Sequence, residues 1–240
     1  ECPDLFSLAE KEILIGSPQG INPEGDLYNN IYQSGYFVGK LDYEKAEFEH
    51  QEFIELDRGF DFYAPQTTLD NKGRRILIAW MGVPDQAENY PERNNGWIHA
   101  MTIPRVLKLN QENKLIQKPV PELKKLRTDK INHQNIKLKN EEIELQGISG
   151  QSLELIVNFE NINADNFGLK VRSSDSGKEA SIISYDRKKE KLTFDRSNSG
   201  KGGRGKRSCF IKNSKNLKLH LFISHYFLWQ NQIQASISYY

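Results

Sequence analysis

The densest chemistry in this 240-residue chain lies in the stretch Asp57-Arg58-Gly59-Phe60-Asp61-Phe62-Tyr63-Ala64-Pro65-Gln66. It combines carboxylates, a guanidinium, aromatic rings and an amide. Those types suit a polyhydroxylated ring, because carboxylates and amides take hydroxyls while aromatic faces cover the apolar side. The same stretch also reads as a strand edge packed by Phe62 and Tyr63, with Asp61 closing a turn. Glu1, in Glu1-Cys2-Pro3-Asp4-Leu5-Phe6, is a candidate general acid, a role that a suitable environment gives a carboxyl group; the other reading is an ordinary terminal glutamate. Trp80 ends an apolar run, where core packing is the default. Trp97 follows Asn94-Asn95-Gly96, which places it after a turn and suits it to a cleft wall.

Other chemistries find less support. The histidines at 50, 99, 133, 220 and 225 have no ligand spacing, so no metal is expected. Serine catalysis lacks a G-x-S-x-G elbow. Gly16, Gly20 and Gly25 are spaced like loop glycines and not like a phosphate cradle, so no cofactor is expected. The basic run at residues 201–207 reads as an exposed loop between strands. A formal net charge of +1, from 33 basic and 32 acidic residues, makes no case for nucleic acid or a membrane surface as partner. Cys2 and Cys209 form neither a metal motif nor a disulfide framework, which favours a reducing compartment, the cytoplasm.

The elements that would carry these residues are short strands; no helix is convincing. Residues 5–8, 12–15, 33–40, 48–56, 75–81 and 98–103 read as strands, with 75–81 the clearest because it follows the turn Asp70-Asn71-Lys72-Gly73. Pro119, Pro121 and a charged run over 122–130 mark a linker or short helix. Seven further strands are expected at residues 141–145, 152–159, 167–172, 180–185, 191–195, 207–211 and 217–223. Leu153, Leu155, Val157 and Phe159 alternate as a half-buried strand does. The expected class is all-β: residues 1–118 form a first β domain, 119–131 a linker and 132–240 a β-sandwich.

Five motifs follow one another along the chain: Glu1-Cys2-Pro3-Asp4, Asp61-Phe62-Tyr63-Ala64-Pro65-Gln66-Thr67, the run from Gly73-Arg74-Arg75-Ile76 to Trp80-Met81, Gly96-Trp97, and Met101-Thr102-Ile103-Pro104-Arg105. In order and approximate spacing they resemble glycoside hydrolase family 32, the invertases, fructanases and sucrose-6-phosphate hydrolases. Asp195-Arg196-Ser197 resembles a turn of the accessory domain. The resemblance implies a five-bladed β-propeller followed by a β-sandwich, and retaining hydrolysis of β-fructofuranosides such as sucrose or sucrose 6-phosphate. It implies Glu1 as acid/base, with Asp61, Tyr63 and Trp97 binding the fructose-containing sugar. Two aspartate motifs of the family, Asn-Asp-Pro-Asn and Arg-Asp-Pro, do not occur in residues 1–240. Residues 218–223 resemble the start of a late sandwich strand of the family, and the match to the family's pattern is expected to end after Ile223. The expectation is therefore a partial propeller and sandwich, a C-terminal portion truncated at both ends. It would have exposed edges and half a core, be inactive alone for lack of the nucleophile, and take the missing upstream half as a partner. The alternative is a non-catalytic carbohydrate-binding or structural fragment.

Overall fold

A computed structural model describes residues 1–83, 93–94, 96–150, 152–174, 176–200, 205–212 and 215–224, together with the backbone of 235–239. Residues 201–204 of the basic run, Asn95 and His225 lie outside the described residues. The chain divides into two compact units, residues 1–93 with 97–126, and residues 94–96 with 127–240.

The first unit holds two antiparallel sheets. One has the order β1 (Asp4–Leu8), β2 (Lys11–Gly16), β3 (Gly35–Asp42), β4 (Glu47–His50), with β5 (Ile54–Glu55) pairing β3. The other has the order β10 (Leu115–Pro119), β9 (Arg105–Leu109), β7 (Arg75–Met81), β6 (Tyr63–Leu69), with β8 (Ala100–Met101) on β7. Alternation places Phe6, Ile13, Ile15, Tyr36 and Val38 on the inward face of the first sheet. They join Phe62, Leu77, Ala79 and Leu107 in one apolar cluster. Tyr36 ties the sheets together, its hydroxyl accepting from Leu115 N at 3.0 Å. The two sheets bury one apolar cluster between them.

The second unit contains a six-stranded sheet of order β11 (Glu141–Glu144), β18 (Ala235–Tyr239), β13 (Asn166–Val171), β14 (Ser181–Asp186), β15 (Lys191–Asp195), β16 (Lys206–Phe210). The pair β12 (Ser152–Phe159) and β17 (Leu217–Ser224) makes a second, two-stranded sheet. Leu155 and Phe159 of β12 and Leu219 of β17 pack with Phe167, Leu169, Val171, Ile183 and Tyr185. Rings of Phe159 and Phe167 lie 4.6 Å apart, and those of Phe167 and Tyr185 5.4 Å. Gly168 is required where β13 meets β14, since a Cβ there would lie 2.1 Å from the Ile183 carbonyl oxygen.

Several element boundaries differ from expectation. The strand read at 48–56 is two, β4 and β5, both pairing with β3. Only Ala100–Met101 of 98–103 is strand. Residues 121–126 form a 3₁₀ helix, Pro121–Leu126. β18 pairs on both sides, with Ile237 opposite Ile143 of β11 and Leu169 of β13.

Candidate active site

The motif at residues 1–4 docks onto the start of β6, more than sixty residues away in sequence. Asp4 Oδ2 accepts from Thr67 N at 2.7 Å, and the Cys2 carbonyl accepts from Gln66 Nε2 at 3.1 Å. The Glu1 backbone is anchored on the other side by a reciprocal pair: its nitrogen donates to Ser17 O at 3.1 Å and its carbonyl accepts from Ser17 N at 2.9 Å. Cys2 between these anchors has φ 49° and an exposed free thiol.

A bulge then aims Tyr63 at Glu1. Tyr63 pairs with Trp80 and Gln66 with Ile78, so β6 carries one residue more than β7 over this span. Ala64 in the bulge has φ 48°, a left-handed conformation that a non-glycine residue adopts at a cost. Such bulges redirect a side chain. Here the Tyr63 ring is 4% exposed, and its hydroxyl donates to Glu1 Oε2. Burial first, and then the bond to Glu1, hold the Tyr63 phenol above its ordinary pKa.

Gln19 completes the cluster. Its Nε2 donates to Glu1 Oε2 at 3.1 Å and lies 3.4 Å from the Tyr63 hydroxyl. An aromatic series extends from Tyr63: Tyr32 at 5.4 Å, Trp80 at 6.4 Å, and His99 at 4.9 Å from Trp80. His99 has φ 64°, and its ring occupies the space where a Cβ on Gly82 would lie, 2.4 Å from the nearest atom.

Of the sequence-predicted residues, the structure brings Glu1 and Tyr63 into direct contact. Asp61 is half-buried just ahead of the bulge, and Trp97 is 38% exposed; neither bonds to Glu1 in the contacts described. Trp80, read as core, is half-buried and packs on both Tyr63 and His99. Asp57, in the same dense stretch, is held by Arg105, whose Nη1 donates to its Oδ2 at 2.8 Å. Arg105 also lies over the Phe62 ring at 5.0 Å. Sequence reasoning missed Gln19 and Tyr32.

Residues 1–119 match the Glycosyl hydrolases family 32 N-terminal domain, and residues 122–226 the Glycosyl hydrolases family 32 C terminal domain. Sucrose-6-phosphate hydrolase of Bacillus subtilis is 62% identical over 128 residues, which cover 53% of this chain and 26% of that protein. Sucrose-6-phosphate hydrolase of Staphylococcus xylosus is 45% identical over 200 residues, covering 83% of this chain and 39% of that protein. Among solved structures, a GH32 beta-fructofuranosidase of Bombyx mori superposes with a TM-score of 0.79 at 28% identity, over 100% of this chain and 51% of that one. A sucrose-6-phosphate hydrolase of Lactobacillus gasseri, at 23% identity and TM-score 0.77, shares the fold. The chain thus spans about half or less of the length of these relatives. The expectation of a C-terminal portion without N-terminal blades, truncated at both ends and needing an upstream half as partner, is withdrawn. Both family domains are matched in the chain, and the solved structures align along all of it. Motif order, the docking of residues 1–4 on β6 and matches over 1–119 and 122–226 converge: the chain belongs to glycosyl hydrolase family 32.

Proposed function

We propose that this chain acts on β-fructofuranosides, sucrose or sucrose 6-phosphate, with Glu1 as acid/base. The observation that carries the reading is the convergence of Tyr63 and Gln19 on one oxygen of Glu1, at the meeting of two motifs distant in sequence. The printed names of the Bacillus and Staphylococcus relatives support the substrate class. In this reading residues 1–118 carry the reaction, 119–131 link, and 132–240 form the accessory sandwich. Protonated Glu1 gives its proton to the glycosidic oxygen as a carboxylate nucleophile bonds to the anomeric carbon and that oxygen leaves, and the Glu1 carboxylate later takes a proton from the water that displaces the nucleophile. Asp61 takes sugar hydroxyls, Tyr63 orients Glu1 and borders the sugar, and Trp97 covers an apolar ring face. The location is cytoplasmic, in keeping with two free cysteines.

Retention requires a second carboxyl group about 5–5.5 Å from the acid, acting as nucleophile. The Asn-Asp-Pro-Asn and Arg-Asp-Pro motifs do not occur in residues 1–240. The 240-residue chain by itself therefore binds sugar but turns it over slowly or not at all. Calorimetric titration with sucrose, sucrose 6-phosphate and a fructan tests the binding, with fructose release followed in parallel. Heat with a fructoside that falls about tenfold in affinity on Trp97→Ala or Asp61→Asn supports the reading, a loss of about 1.4 kcal/mol. No heat with any of the three overturns it. Fructose release at an ordinary enzymatic rate overturns the slow-turnover statement alone.

A further inference from the structure

The carboxyl group of Glu1 has two oxygens in different surroundings. Oε2 accepts from the Tyr63 hydroxyl and from Gln19 Nε2, the latter at 3.1 Å. None of these bonds reaches Oε1. Tyr63 spends its proton on Oε2, and its oxygen faces the Gln19 amide at 3.4 Å, so the three groups close a ring. The amide must present nitrogen here, because its oxygen would face a carboxylate.

Gln19 reaches this place because the β2–β3 hairpin continues beyond its last ladder pair. Gly16 lies opposite Gly35. The Ser17 and Ser34 hydroxyls, both buried, then bond at 3.1 Å. Gln33 N donates to Pro18 O at 3.1 Å, and Gln19 forms an isolated bridge with Tyr32. The Tyr32 ring rests 5.4 Å from that of Tyr63. The extension, bridged to Tyr32, brings the Gln19 amide to the carboxyl group.

We infer that Gln19 is a positioning residue which, with Tyr63, holds Oε2 of Glu1 as an acceptor and thereby reserves Oε1 as the oxygen that carries and transfers the proton. A carboxyl group in its acid form has one carbonyl oxygen and one hydroxyl oxygen. Two donors already aimed at Oε2 favour its carbonyl form, since a hydroxyl there would place its proton against theirs. The proton is left to Oε1. The inference rests on Glu1 being the acid/base, and gives that role a single working atom.

Isotope-edited infrared spectroscopy of the chain tests it. Glutamate carboxyl carbons are labelled, spectra are taken in the acid form, and the Glu1 band is isolated by subtracting the Glu1→Gln spectrum. With Oε2 as the hydrogen-bonded carbonyl, Gln19→Leu moves this band to higher wavenumber, Gln19→Met does the same while keeping side-chain length, and Tyr63→Phe moves it further. Gln19 is exposed, so both replacements leave the fold in place, checked by circular dichroism. A band that stays put in both Gln19 variants overturns the inference, because it would mean the carbonyl is Oε1. Adding sucrose separates this from the acid/base reading. A band that responds to the Gln19 variants and also to sucrose supports both. One that responds to the variants but ignores saturating sucrose, sucrose 6-phosphate and a fructan alike overturns the acid/base reading and leaves the hold on Oε2 standing.

Discussion

At the residue scale, charge pairing gives a clear pH signature away from the candidate active site. Glu122 accepts from Arg74 through both nitrogens of the fork, at 2.9 and 3.1 Å, and from Lys72 at 2.8 Å. These donors, Arg74 first, lower its pKa from 4.5 to about 2. A carboxyl group depressed in the folded state contributes stability that is fully present above its unfolded value and is lost as pH falls through the folded one. The Glu122 contribution should therefore stand above about pH 5 and fade between about 4.5 and 2. Thermal melts of the wild type and Glu122→Gln across that range should differ at neutral pH and converge at the acid end. A gap that persists unchanged to pH 2 would refute the assignment. Exposure of the pair keeps the gap small.

At the element scale, the strands depend on backbone geometry at a few positions. A proline at 237 would remove an N–H from the strand between β11 and β13. Ile237→Pro should speed amide exchange in peptides covering both neighbours, and unaltered exchange would show that β18 is dispensable to them. Gly168→Ala drives a methyl group into the Ile183 carbonyl and should destabilise the second unit by roughly 1–3 kcal/mol, read by urea denaturation. Much of this was legible beforehand. Residues 75–81, 152–159 and 191–195 announced their strands by composition, turn signals or alternation, and they coincide with β7, β12 and β15. β6 was obscured because Pro65 and the bulge at Ala64 interrupt the alternation of an ordinary strand. β9 and β10 are short, and Pro104 and Pro119 sit at their borders. At the candidate site, the motifs singled out Glu1 and Tyr63, whose side chains meet. Gln19 was not, because its position depends on hairpin pairing with Tyr32 and not on a local pattern.

For the whole molecule, stability is distributed between two cores of different makeup. Leu77 is fully buried among residues of both sheets of the first unit, and Leu169 is fully buried in the cluster that holds Phe159, Phe167 and Tyr185 in the second. Truncating either to alanine should cost about 2–5 kcal/mol. Mass-resolved hydrogen exchange should show Leu77→Ala loosening peptides of β1–β3 and β6–β9, and Leu169→Ala those of β12–β14 and β17. A variant with unchanged exchange near its own site would contradict the packing described. Among the described residues no helix is long and apolar enough to cross a membrane.

The placement of Cys2 has a practical consequence. Its thiol is exposed, whereas that of Cys209 is half-buried within β16. A brief pulse of a thiol-reactive dye should therefore tag Cys2 first, which peptide mapping would verify. Because the Cys2 carbonyl accepts from Gln66 and its neighbour Glu1 meets Tyr63, a dye there would act as a reporter whose emission registers what enters beside the carboxyl group. The chain thus supplies its own attachment point for a ligand sensor.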